Sequence, residues 1–294
     1  MLPGCRCIRP IIGRVGRPGS LSDEGAELMR RTGMVLSAAL ILFAACTVTP
    51  SAPLERSPLT PSVAATTTPP AEDQRFAQQR EQMVVKTIKN RGITDEGVLR
   101  AMENVPRHQF VPEDQQNQAY GDYPLPIGFG QTISQPYIVA MMTELLELEE
   151  GDKVLEVGTG SGYQAAVLAE LPGVEVYTIE IIPELARRAE ETLDSLGYED
   201  VRCRQGDGYY GWPEHAPFDG IIVTAAPDHV PQPLREQLAV DGRMVIPIGP
   251  RGGYQTLWRF VKQPDGEMKA YNEGGVAFVP FTGKGIQENE GEEE

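Results

Sequence analysis

The chain is poor in cysteine, histidine and basic charge, and it has no long apolar run. Its four cysteines are Cys5, Cys7, Cys46 and Cys203, and only Cys203 falls in the stretch that reads as globular. A disulfide framework is therefore excluded there. The three histidines, His108, His215 and His229, lie far apart. No Cys/His cluster has zinc spacing, so no metal is expected. Lys and Arg total 26 against 42 Asp and Glu, a formal net charge of −16. That excludes a general nucleic-acid binder, which needs a basic surface to release counterions. It also excludes docking on anionic lipid by charge. The apolar run Met34–Ala45 has 12 residues, short of the roughly 20 that span a bilayer.

What is present is 294 residues, 40% hydrophobic and 23% charged, enough for one or two packed domains. Residues 1–46 read as an N-terminal extension. Met29-Arg30-Arg31, the short apolar run and Leu42-Phe43-Ala44-Ala45-Cys46 have the form of a secretory signal ending in a lipoprotein cleavage box, with Cys46 as the lipidated residue. Residues 47–75 are rich in Pro, Thr and Ser and read as a linker, because they cannot bury enough apolar area to offset their ordering entropy. A globular domain is expected over 76–285, followed by a Glu-rich tail, 286–294.

Within the domain, residues 76–104 read as two helices, the second opening near Thr94-Asp95-Glu96. A loop-rich stretch, 106–135, precedes a helix over 136–148. Strand and helix signals then alternate. Strands are expected over 153–157, 174–179, 201–205, 220–224 and 244–248, with helices over 163–171, 183–196 and 231–239. Pro183 opens the second of these helices and Gly197 follows it, as their backbone preferences require. Such a series implies a mostly parallel sheet with helices on both faces. Stretches 255–261 and 276–279 read as late, antiparallel strands.

Ligands of such sheets bind at the carboxyl ends of the strands, and four motifs fall there. Glu156-Val157-Gly158-Thr159-Gly160-Ser161-Gly162 is a tight strand-to-helix turn whose glycines let backbone approach a ligand, with amides at the helix start. Glu180 ends the next strand, 22 residues after Gly158, where a carboxylate can accept both hydroxyls of a ribose. Gly206-Asp207-Gly208 follows the third strand, with Asp207 able to accept from an adenine amino group. Thr224-Ala225-Ala226-Pro227 follows the fourth. A dinucleotide fingerprint wants a third glycine where Tyr163 stands. The pattern therefore favours S-adenosylmethionine, which has no pyrophosphate to cradle. Ahead of the sheet, Leu125 to Pro136 mixes glycines with hydroxyl and amide side chains and holds no charge. Read on its own, it is a structural loop in which Thr132 or Ser134 caps the helix from Pro136.

The chain resembles the protein-L-isoaspartate O-methyltransferase family. The resemblance is carried by Val105-Pro106-Arg107-His108, Phe110-Val111-Pro112, Ala119-Tyr120-Gly121-Asp122 and the block from Leu125 to Ala140. It continues through Val154–Leu171, Gly206-Asp207-Gly208, Ala216-Pro217-Phe218-Asp219, Ile221–Ala226, Gly242-Arg243 and Phe278-Val279-Pro280. It spans about Met83 to Phe281, and Thr132-Ile133-Ser134-Gln135-Pro136 is specific to the family among methyltransferases. It implies a Rossmann-like methyltransferase fold, S-adenosyl-L-methionine as cofactor, and isoaspartyl residues of damaged proteins and peptides as substrate. By matching position, Ser134 resembles the active-site serine. Gly158, Gly160, Glu180, Asp207 and Gly208 resemble cofactor contacts, and Thr132 and Val279 resemble substrate contacts. Pro227 replaces a common alanine and Phe281 departs from the usual C-terminus, departures expected to touch the substrate rim and not the cofactor site. A small-molecule O-methyltransferase on the same fold is the alternative. Family and cofactor supply point to the cytoplasm, while the signal-like segment points to export and a lipid anchor at Cys46.

Overall fold

The computed structural model describes residues 71–289, all within the second of the chain's two units, Ala65–Glu294. The signal-like segment, Cys46, the linker up to residue 70 and the end of the Glu-rich tail lie outside the described residues. The first helix, α1 (Ala71–Met83), opens ahead of the expected Phe76. It runs on through one wide turn and one tight turn, to stop at Gly92 with φ of 104°. Helix α2 (Glu96–Asn104) starts where its sequence says, with the Asp95 carboxylate accepting the Val98 N–H at 2.7 Å. Such a cap is worth about 1 kcal/mol.

The stretch read as a loop contains a short antiparallel hairpin, β1 (Leu125–Gly128) and β2 (Gln131–Ile133). Its two-residue turn, Phe129-Gly130, has φ of 54° and 73°, the positive values that match the twist of a hairpin. Helix α3 (Pro136–Glu144) follows. Its N-cap is Gln135, whose side chain makes no capping bond. The capping role expected of Thr132 or Ser134 is therefore corrected: the hairpin ends at Ile133 and leaves both hydroxyls short of the helix start.

Next come β3 (Lys153–Val157), α4 (Tyr163–Ala169), β4 (Glu175–Glu180), α5 (Pro183–Ser195), β5 (Arg202–Gln205), β6 (Phe218–Val223), α6 (Gln232–Gln237) and β7 (Leu238–Ile248). The described residues end on β8 (Gln255–Lys262), β9 (Met268–Val276) and α7 (Lys284–Asn289). The sheet order is β5-β4-β3-β6-β7-β8-β9. Strands β3 to β7 pair in parallel, and β8 and β9 pair antiparallel. Alternate residues feed two cores. Val154, Val176, Ile222 and Val245 face the layer of α2, α4 and α5. Leu155, Tyr177, Ile221 and Met244 face Leu234 of α6 and Ile286 of α7. Each fully buried aliphatic here carries roughly 1.5–3 kcal/mol of transfer free energy. Helix α5 shows why it sits where it does, since Leu185, Ala189 and Leu193 form one buried stripe.

Two boundaries are corrected. Leu238 and Ala239, expected to end a helix, already belong to β7. The late strand expected at 276–279 lies earlier, at Met268–Val276. An edge strand exposed along most of its length shows no apolar alternation, so its sequence carries little signal.

Candidate active site

The chain leaves β3 toward β4 on one side and enters β6 on the other. The carboxyl ends of β3 and β6 therefore flank the topological switch point where such sheets bind ligands. A cleft opens there, holding about 550 Å³ of empty space, part of it open to solvent. The turn after β3 supplies Gly158 and Gly160, the end of β4 supplies Glu180, and Gly208 follows β5. Thr224 and Ala225 follow β6, and Val279, Pro280, Phe281 and Thr282 close the other side.

Bare backbone is required at two of these positions. A Cβ on Gly158 would run into the Thr224 hydroxyl, and one on Gly208 into Val157. The Thr224 hydroxyl itself donates to the Gly158 carbonyl at 2.6 Å, tying the turn to β6. Glu180 is buried, with a relative exposure of 5%. One of its oxygens accepts the Gly160 N–H at 2.8 Å and the other the Ile182 N–H at 2.9 Å. Of the amides in the turn and at the start of α4, that of Gly160 donates to Glu180 and that of Tyr163 points to the Ser161 hydroxyl at 3.3 Å. Each Glu180 oxygen keeps a lone pair for a ribose hydroxyl.

Five expected site residues thus meet in one cleft: Gly158, Gly160, Glu180, Gly208 and Val279. The other three do not line it. The Asp207 carboxylate accepts the Tyr209 N–H at 3.0 Å and the Gly285 N–H at 3.1 Å, fastening the C-terminal segment beside Gly208. Thr132 lies exposed on β2, next to the cleft residue Gln131. Ser134 follows β2, half-buried, and its carbonyl accepts from Arg107 at 2.7 Å. Phe281 is corrected in the opposite sense. It is 3% exposed and lines the cofactor-side cleft, so the departure it represents reaches beyond the substrate rim.

Sequence reasoning placed Phe281 at the substrate rim alone and missed the roof that residues 280–282 form over the cleft. Ala226 and Pro280 bridge in parallel, with the Ala226 N–H donating to the Val279 carbonyl and the Phe281 N–H to the Ala226 carbonyl, each at 2.9 Å. None of the histidines lines the cleft. His108 stacks on Phe76 and bonds Tyr120, His215 packs on Tyr177, and His229 pairs with Asp228. Burial pushes the Cys203 thiol up to about 12, leaving it un-ionised and a poor nucleophile. Beneath the cleft, Glu156 is fully buried, and burial pushes its carboxyl up to about 8. The Thr178 hydroxyl donates to one of its oxygens, and the other has no partner.

Residues 78–286 match the family model described as protein-L-isoaspartate(D-aspartate) O-methyltransferase. The chain belongs to that family. The protein-L-isoaspartate O-methyltransferase of Gloeobacter violaceus is 56% identical over 209 residues, covering 70% of this chain and 100% of the relative. That of a Synechococcus species is 61% identical over 220 residues, covering 73% and 89%. A solved protein-L-isoaspartate O-methyltransferase superposes with a TM-score of 0.65 at 30% identity, covering 69% of this chain and 66% of that one. A second, from Plasmodium falciparum in complex with S-adenosyl-L-homocysteine, gives 0.59 at 25% identity, covering 70% and 98%. The family match takes in the cleft, the hairpin carrying Thr132 and the closing segment at Phe281, and stops short of residues 1–77.

Proposed function

We infer that the protein transfers a methyl group from S-adenosyl-L-methionine to the free carboxylate of L-isoaspartyl residues in damaged proteins and peptides. The observation that carries this reading is the switch-point cleft, with Glu180 held between the Gly160 and Ile182 amides, in a chain of this family. The residues present fit the cofactor. Glu180 retains acceptors for a ribose, while Gly158 and Gly208 line the cleft with backbone that carries no side chain. When bound, the cofactor supplies an electrophilic methyl group on a sulfonium.

The chain's own task is then positioning and water exclusion. The substrate carboxyl, with a pKa near ~4, is ionised at neutral pH and needs no general base, which accords with a cleft without histidine. Ser134 is assigned an orienting hydrogen bond to that carboxylate, with Thr132 and Val279 beside it. Excluding water around that carboxylate favours a step in which opposite charges cancel. The methyl ester then reacts with the following backbone nitrogen, which displaces methanol and closes a succinimide. Hydrolysis of that ring returns some normal aspartate, and the net outcome is repair.

A labelled-methyl assay on an isoaspartyl peptide and its aspartyl counterpart tests the reading. Labelling of the first alone is expected; equal labelling of both rejects the substrate assignment. Lipid attachment at Cys46 is a separate proposal, supported by the Arg30-Arg31, apolar and cleavage-box pattern alone. Mass spectrometry of the mature N-terminus, with cell fractionation, tests it, and an intact unlipidated N-terminus in the soluble fraction rejects it.

A further inference from the structure

Between the end of β2 at Ile133 and the start of α3 at Pro136, the backbone has neither a ladder nor a helix to hold it. Pro136 has no N–H, and Gln135 caps without its side chain. Ser134 sits in the middle of this gap. Its hydroxyl makes no hydrogen bond among the described residues, so it stands ready for a ligand, yet nothing in its own element fixes where it stands.

Two groups from outside the segment fix it. Arg107, wholly buried, donates from Nη2 to the Ser134 carbonyl and from Nε to the Ala119 carbonyl, each at 2.7 Å. Its Nη1 has no partner, and its guanidinium lies 4.8 Å from the Tyr163 ring centre. A buried arginine that contacts no carboxylate is an unfavourable way to fill a core, and an apolar side chain would fill it better. What it supplies instead is a rigid fork of donors aimed at two loop carbonyls. On the other flank, Asp122 accepts the Gln135 side-chain amide at 2.8 Å and the Tyr137 N–H at 3.2 Å. Arg91 in turn holds Asp122 at 2.7 Å while lying 3.4 Å over the Tyr137 ring. Ile133 is tied by the hairpin, the Ser134 carbonyl by Arg107, and Gln135 and Tyr137 by Asp122.

We propose that Arg107 and Asp122 are positioning residues that clamp the segment 134–137 and so set the Ser134 hydroxyl against the substrate carboxylate. The proposal rests on the role given to Ser134 above. Neither residue lines the cofactor cleft, so their loss should reach turnover and leave cofactor binding alone.

The test is a double-mutant cycle on the full chain. Arg107→Lys keeps the charge but loses the fork; Asp122→Asn keeps the shape, loses the charge and sits at the partly exposed rim, where it leaves the core untouched. Each single variant is expected to lower kcat on the isoaspartyl peptide at least tenfold, with the calorimetric Kd for S-adenosylmethionine within twofold of the parent. In a Ser134→Ala background neither should lower kcat by more than a further twofold, because the group they position is gone. Losses that multiply in that background, or full turnover in both folded single variants, overturn the clamp. If Arg107→Lys does not fold, Asp122→Asn completes the same cycle. Full turnover by Ser134→Ala alone marks failure of the serine's role itself, and the clamp falls with it.

Discussion

Glu180 does two things with one carboxylate. It accepts the Gly160 amide of the turn after β3 and the Ile182 amide ahead of α5, and it faces the cleft with its remaining lone pairs. Glu180→Ala should therefore weaken S-adenosylmethionine binding by about 1.5–3 kcal/mol and also destabilise the fold, since two part-buried amides lose their acceptor. Glu180→Gln, which keeps one acceptor, should recover much of the stability and little of the affinity. Calorimetry and urea denaturation on both variants separate the two effects. Glu156 is a residue of another kind, fully buried and carrying its proton at neutral pH. Its native pKa, raised by burial from 4.5 to about 8, means that the folded state binds this proton more tightly than the unfolded one. Its contribution is greatest below about 4.5, declines as pH rises toward about 8 and is level above that. Glu156→Gln should remove this part of the pH slope, seen by comparing unfolding free energies of variant and parent on the acid and alkaline sides of the window.

Among elements, the parallel strands and their helices were legible because each carries its own pattern. Strand β3 is a continuous buried run, and α5 shows a three-residue stripe between Pro183 and Gly197. The hairpin β1–β2 was hidden for a physical reason. Its turn places a phenylalanine, not asparagine or aspartate, at a positive φ, so the usual dipeptide signal is missing. Phe129 is 57% exposed, so replacing it sacrifices little burial, while a bulky residue in the left-handed region is strained. Phe129→Asn should raise stability by up to about 1 kcal/mol, measurable by thermal denaturation. The site divides the same way. Residues at or just past strand ends, such as Gly158 and Glu180, could be placed from spacing alone. Arg107 and Asp122 could not, because their partners are 27 and 13 residues away in loops, and spacing carries no information about such contacts. The stretches that hold them were nonetheless visible as family matches.

At the scale of the molecule, the last described segment joins the two halves of the site. Phe281 lies against Gly208, lines the cleft and belongs to the core shared with Tyr209 and Ile286. Phe281→Ala should destabilise the protein by about 3–5 kcal/mol and weaken cofactor binding with it, whereas a leucine there should restore most of both. Denaturation and cofactor titration on the pair check this.

The bridge from Ala226 to Pro280 and the bond from Gly285 to Asp207 also bear on how the protein is made. A chain emerging from the ribosome can assemble strands β3 to β6 as they appear, but the wall at 279–282 emerges only after β7, β8 and β9. A nascent chain has a sheet before it has a place for the nucleoside. The cleft is thus walled on both sides only after residue 285 has emerged to meet Asp207.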